Sequence, residues 1–270
     1  MKSSWVPKRK INRIKAIFES ADERTRQDFE LGMAANERDY LSRFLTLANY
    51  PTQTKGKKCE GLFMAQCATD TIERKHGVDA VMVFKHNDEF KIAFFECKIE
   101  KWDFDNGRFV KQLKKQRKLE MKYKGIVCFE MFFHKGSSLP FSDKLSSICT
   151  LKQLDAFVRD TSRETLIKWL HADLVALFEW LRLKHSGIYS IGNLIEAILS
   201  CHLGIIYSHP YMMISDDKPE FVQETILVAE RLEHKQAGEL SVSEYGAKYG
   251  IAAIGYVDLD SHFLDKTKST

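Results

Sequence analysis

Asp79, Glu96 and Lys98 are the residues whose types and spacing could do chemistry together. They lie in the stretch Lys57 to Lys118, where Gly77 to Phe84 and Phe90 to Ile99 read as two apolar strands and Asn87-Asp88 as the tight turn between them. With those two residues as the loop, His86 pairs with Glu89, and counting back along both strands sets Asp79 opposite Glu96 on one face. Lys98, two residues on, shares that face. An unpaired charge in apolar surroundings costs on the order of several kcal/mol, so two carboxylates and an ammonium in one apolar hairpin need a purpose or a partner. Phosphodiester hydrolysis would use all three. Paired carboxylates select magnesium or manganese, such a cation neutralises phosphate charge and delivers hydroxide near neutral pH, and an ammonium stabilises the developing anion. The plainer account is an ion pair of Asp79 or Glu96 with Lys98 at a sheet edge, but three charges exceed what one buried pair requires.

These residues need elements to hold them. A helix is predicted from about Cys59 to Lys75, with Phe63, Cys67 and Ile72 on its buried stripe and Gly77 placed to end it. Glu60 falls in its first turn, where the helix dipole alone favours a carboxylate; the functional alternative makes it a third acid facing Asp79 and Glu96. Beyond the hairpin, Lys101 to Asn106 reads as a polar loop and about Gly107 to Lys122 as a helix. Phe109, Val110 and Leu113 point inward, Gln112 and Gln116 stand one turn apart, and Lys111, Lys114, Lys115, Arg117 and Lys118 surround them. The apolar run Ile126 to Phe133 follows as a further strand. A leading helix, two strands, a helix and a strand describe an α/β fold, a mixed sheet with helices against it.

In this order, Glu60 on a leading helix, Gly77-Val78-Asp79 opening a strand, Glu96-Cys97-Lys98 on the next and Gln112 on the following helix resemble the PD-(D/E)XK nuclease superfamily, over about residues 57–135. The resemblance implies a restriction-endonuclease-like fold and a divalent-metal-dependent nuclease, with DNA as the expected substrate. It assigns Asp79 and Glu96 to one or two divalent ions, usually magnesium, with Glu60 as the helix acid beside them. Lys98 would orient or polarise the attacking water, and Gln112 corresponds to the family's helix glutamine. Val78 stands where the family has proline before the first acid, so the loop entering that strand can differ.

Composition bounds the rest. The chain has 270 residues, 44% of them hydrophobic, and a formal charge of +4 that is unevenly spread. Lys98 to Lys124 carries ten Lys or Arg against four Asp or Glu, whereas Ser190 to Leu240 carries three against eight. The basic segment points to a polyanionic partner, with Lys111, Lys114, Lys115 and Lys118 as the nucleic-acid contacts; a solvated helix face explains the same charges without one. The six cysteines include no CxxC pair and read as reduced core thiols. No apolar run approaches a membrane span and Met1 to Trp5 lacks a signal-peptide stretch, so a soluble, cytoplasmic protein with no membrane partner is expected.

The organisation predicted is a helical N-terminal segment over 1–56, a nuclease-like core over 57–135 and a mostly helical region over 136–270. The cluster Lys8-Arg9-Lys10 with Arg13 and Lys15 reads as a solvated terminus before a phosphate-contacting arm. Thr161 with Glu164 predicts a capping box ahead of a helix from Leu166 to Leu183, Ser190 caps a second helix, and a third reaches His234. Ser241 to Gly250 looks like the start of a helix-turn-helix, but the next residues, Ile251 to Asp260, read as a strand. Asp258, Asp260 and His262 share one face of it and could hold a metal, though such clusters in tails are usually solvated. The alternative function is a nuclease-fold module, such as an effector, that binds nucleic acid or protein without cutting. Oligomeric state is left open, a dimer included.

Overall fold

The computed structural model describes residues 4–49, 63–67, 75–99, 107–133, 146–163, 169–184, 187–208, 220–234 and 241–260. The hairpin forms in the predicted register: β2 (Ala80–His86) runs antiparallel to β3 (Glu89–Ile99), with His86 opposite Glu89 and Ala80 opposite Phe95. Asn87 and Asp88 take φ of 49° and 59°, the left-handed pair that lets a two-residue loop follow the strand twist. Asp260 clamps the turn, one carboxylate oxygen 2.6 Å from His86 Nδ1 and the other accepting the Asn87 N–H at 2.7 Å. It therefore serves the hairpin; His262 lies outside the described residues.

Among the described residues the sheet has seven strands. The others are β1 (Phe63–Cys67), β4 (Val127–Phe133), β5 (Ser147–Thr150), β6 (Tyr207–Ser208) and β7 (Ala253–Asp258). Their order is β1-β7-β2-β3-β4-β5, with β6 against the start of β3. The β7–β2 and β3–β4 pairs are parallel and the remainder antiparallel. Helix α3 (Arg108–Lys122) is the crossover between parallel β3 and β4.

Both faces are covered. On one, α1 (Lys8–Glu30), α2 (Glu37–Asn49) and α6 (Ile191–Leu199) bring Ile14, Phe18, Phe44 and Ile195 to Met82, Phe84, Phe95 and Met131. On the other, α3 together with α4 (Leu151–Asp160), α5 (His171–Leu183), α7 (Glu220–His234) and α8 (Val242–Tyr249) covers Val81, Val83, Phe94 and Phe132. Burial on both sides explains why the central strands read as continuous apolar runs rather than alternating ones. No helix among the described residues is long and apolar enough to cross a membrane.

Three local expectations are corrected. Residues 63–67, predicted as helix, form β1, paired with β7 from Phe63 opposite Val257 to Cys67 opposite Ala253, and Cys67 is exposed. The helical spacing there is weak, and a strand partner from the far end of the chain overrides it. Thr161 does not start a helix but closes α4, its hydroxyl donating to Phe157 O at 2.7 Å, while α5 begins at His171 behind an Asp173 carboxylate that accepts the Leu170 N–H. The N-terminal basic cluster is fastened down: Lys8 and Lys15 pair with Glu196 of α6, and Lys10 donates to Leu259 O at 2.9 Å. Ser190 caps α6 as expected, accepting the Asn193 N–H.

Candidate functional site

Asp79 immediately precedes β2 and is anchored on both of its strand neighbours. Its N–H donates to Phe95 O and its Oδ2 accepts the Cys97 N–H, each at 2.8 Å, while its carbonyl accepts the Ala252 N–H at the entrance to β7. Glu96 and Lys98 alternate with Cys97 along β3 and so share the face that α3 crosses. Parallel pairing sets Glu130 of β4 beside Glu96.

Helix α3 binds this row of charges through two glutamines. Gln112 Nε2 donates to Glu96 Oε1 at 2.6 Å; Lys98 Nζ donates to Gln112 Oε1 at 2.7 Å and also to Glu96 Oε1. One turn later, Gln116 Nε2 lies 2.6 Å from both Glu130 Oε1 and Gly77 O. Gly77 has φ +71°, and a Cβ there would sit 2.7 Å from Gln112 O, so glycine is what lets the helix backbone come down beside the entrance to β2. Glu96, Gln116 and Glu130 have no exposed surface; Asp79 and Lys98 retain 4% and 8%.

Burial alone would lower the pKa of the Lys98 ammonium, but the attraction of Glu96, then of Glu37, Glu130 and Asp79, carries it above the ordinary lysine value. Lys98 is therefore a charged donor. Burial pushes the Glu130 carboxyl up to about 7, against the opposing pull of Lys98 and Gln116 and with the repulsion of Asp79 and Glu37. Glu130 Oε2 and Gln116 Oε1 are acceptors without a hydrogen-bond partner among the described residues, a deficit that a proton on Glu130 would help to supply. Burial, then the charges of Asp79, Glu96 and Glu37, raises the Cys97 thiol far above its usual range, which removes it as a nucleophile.

Of the residues singled out in the sequence, Asp79, Glu96, Lys98 and Gln112 come together; Glu60 lies outside the described residues. The Glu96–Lys98 pair does form, but on a strand flanked by β2 and β4 rather than at a sheet edge. Lys111, Lys114, Lys115 and Lys118 are exposed on α3. Sequence reasoning gives no role to Glu130, Gln116 or Glu37. Glu130 had a signal, since it is the one charged residue in the apolar run Ile126 to Phe133, and so had Gln116, one turn from Gln112. Glu37, in the first turn of α2, had none, because only the fold brings that turn within electrostatic reach of Lys98 and Glu130.

Among the described residues no group of three or more His, Cys, Asp and Glu side chains is spaced to hold a metal. Magnesium seldom needs such a cage: one or two carboxylates with water and phosphate oxygens commonly complete its shell. In the cluster, Asp79 accepts the Cys97 N–H and Glu96 pairs with the Lys98 ammonium. No known protein family, curated protein or solved structure matches the chain.

Proposed function

We propose that this protein is a divalent-metal-dependent nuclease that hydrolyses phosphodiester bonds, with DNA as its substrate, built on the PD-(D/E)XK pattern. The observation that carries the reading is the joining of Glu96 and Lys98 of β3 with Gln112 of α3 into one hydrogen-bonded triangle. Asp79 and Glu96 would hold magnesium or manganese, which supplies phosphate neutralisation and a more acidic water when bound. Lys98 presents a permanent positive charge to the attacked phosphate. Gln112 holds both Glu96 and Lys98 in orientation, using its amide as donor to one and acceptor from the other. Glu37 takes the part of the acid on a leading helix that the resemblance gives to Glu60. The exposed lysines of α3 contact the phosphate backbone. The test is incubation of supercoiled plasmid with purified protein, with magnesium, with excess EDTA and with Asp79→Asn; nicking that needs both the metal and Asp79 supports the reading.

One observation favours a second reading, a nuclease-fold module that binds without cutting. Glu96 is fully buried and its Oε1 already accepts from both Lys98 and Gln112. Plasmid bound with salt-dependent affinity but left uncut in every divalent metal would select that reading.

A further inference from the structure

The residues ahead of Asp79 gather a second set of groups that the hydrolytic cluster does not use. His76 is half-buried, its ring 5.2 Å from that of Phe221 on α7 and stacked at 6.4 Å against Tyr249 at the end of α8. The charges that act on it are lysines: Lys122 and Lys115 from α3 and Lys75 beside it in the chain, all three exposed. The acids on the neighbouring helix are engaged elsewhere, Glu220 and Glu224 with Lys248 and Glu224 also with the Tyr249 hydroxyl. Lys75 donates to the carbonyls of Lys248 and Ala247, which fixes its stem over the end of α8.

We propose that His76, Lys75, Lys115 and Lys122 form a phosphate-binding node that takes one backbone phosphate of a nucleic-acid strand lying along α3. Lys111, Lys115, Lys118 and Lys122 recur at helical spacing and make one stripe on that helix, and the node extends the stripe onto the segment leading to Asp79. Gly77, next to His76, is the residue that Gln116 ties to α3, so a strand held at the node is held against the same helix that orients Gln112. The inference rests on nucleic acid being the partner of the proposed site.

Burial, then the charges of Lys122, Lys75 and Lys115, lowers the imidazole pKa below its usual value in the free protein. A phosphate among these cations removes their repulsion and accepts a hydrogen bond from the protonated ring. Binding and protonation then favour each other, by the same factor in both directions. Affinity rises as pH falls, and the imidazole pKa rises on binding.

The experiment is a pH titration of histidine ring resonances in EDTA, with His76→Gln assigning the His76 signal, for the free protein, with a short duplex DNA and with inorganic phosphate. DNA is expected to raise the His76 pKa by about one unit, and the wild type to bind the duplex up to about tenfold more tightly at pH 5.5 than at pH 8. His76→Gln should lose that pH dependence while still binding at pH 8. Lys115→Ala with Lys122→Ala should reduce the log-log salt slope by about one, since the two share a single phosphate. A rise with DNA, whether or not free phosphate also produces one, supports the node; no rise, or a rise with free phosphate alone, overturns it. Because EDTA abolishes metal-dependent cutting, a shift in a protein that never cleaves plasmid would sink the nuclease reading alone, and normal cleavage with His76 unmoved would sink the node alone.

Discussion

Glu96 and Glu130 stand side by side, paired in register on the parallel strands β3 and β4 and both wholly buried. Two carboxyls so placed are not equivalent. Lys98 and Gln112 donate to Glu96, whereas Gln116 donates to Glu130, and it is Glu130 whose carboxyl is carried to about 7. The cluster thus contains one acid held by a cation and one that titrates near neutrality.

This asymmetry has a stability signature. The folded Glu130 pKa of about 7 lies above the ordinary 4.5, so the folded state binds the proton more tightly; its contribution is full below the unfolded pKa and is lost as pH rises through the folded one. The shift corresponds to about 3 kcal/mol at most. Glu130→Gln should match wild type at pH 4.5 and exceed it by up to that amount at pH 8, measured by urea unfolding in metal-free buffer. Parallel pH profiles for the two proteins would place the titrating group elsewhere.

Cleavage of DNA should require magnesium or manganese, since Asp79 and Glu96 cannot by themselves activate water for this reaction. Undiminished nicking in excess EDTA, followed on an agarose gel, would remove the metal mechanism.

Asp79→Asn and Glu96→Gln should abolish cleavage and weaken divalent-metal binding together, each losing a charged oxygen at nearly constant volume. Lys98→Ala should leave metal binding intact or tighter yet slow cleavage by roughly a hundredfold or more. It also leaves the buried Glu96 carboxylate without its cation, so a destabilisation of about 3–5 kcal/mol is expected in the absence of metal, relieved when a cation takes the ammonium's place. Calorimetric metal titration, single-turnover rates and thermal melts with and without magnesium distinguish these variants. Lys98→Ala cutting as fast as wild type would reduce the residue to an ion-pair partner.

Glu37→Gln should lower the cleavage rate by about ten- to a hundredfold with an unchanged melting temperature, the scale of losing a group that tunes a metal site. An unaffected rate would return the helix-acid role to Glu60.

Replacing Lys111, Lys114, Lys115 and Lys118 by alanine should weaken nucleic-acid binding at all sequences alike and flatten its salt dependence by about one log-log unit for each lysine that meets a phosphate. Fluorescence anisotropy at several salt concentrations reads both quantities. The same slope as wild type would mean that this face is merely solvated.

The hairpin is legible in the sequence because everything that specifies it is local. Two apolar runs, a turn pair able to take positive φ and a side-chain period of two suffice to set the register from His86–Glu89 to Ala80–Phe95 and to put Glu96 and Lys98 on one face, whereas Asp79 lies just beyond the ladder, its N–H on Phe95 O. The amphipathic α3, with Gln112 one turn from Gln116, is legible for the same reason. Strand β1 is not: five residues with helical spacing become a strand because β7 offers them a ladder. Neither is the insertion of β7 between β1 and β2, which no local pattern encodes.

The sequence by itself determined the residue types of the cluster, the hairpin register and the helix that covers it, since these follow from side-chain periodicity and turn chemistry within one short stretch. Only the tertiary structure decided that Glu130 lies beside Glu96, that the charge of Glu37 on α2 reaches Lys98, and that the charges of Lys115 and Lys122 reach His76. The physical reason is that strand order and helix docking are chosen by burying both faces of the sheet at once, and charges are then brought together by a packing optimum to which each short segment contributes only part.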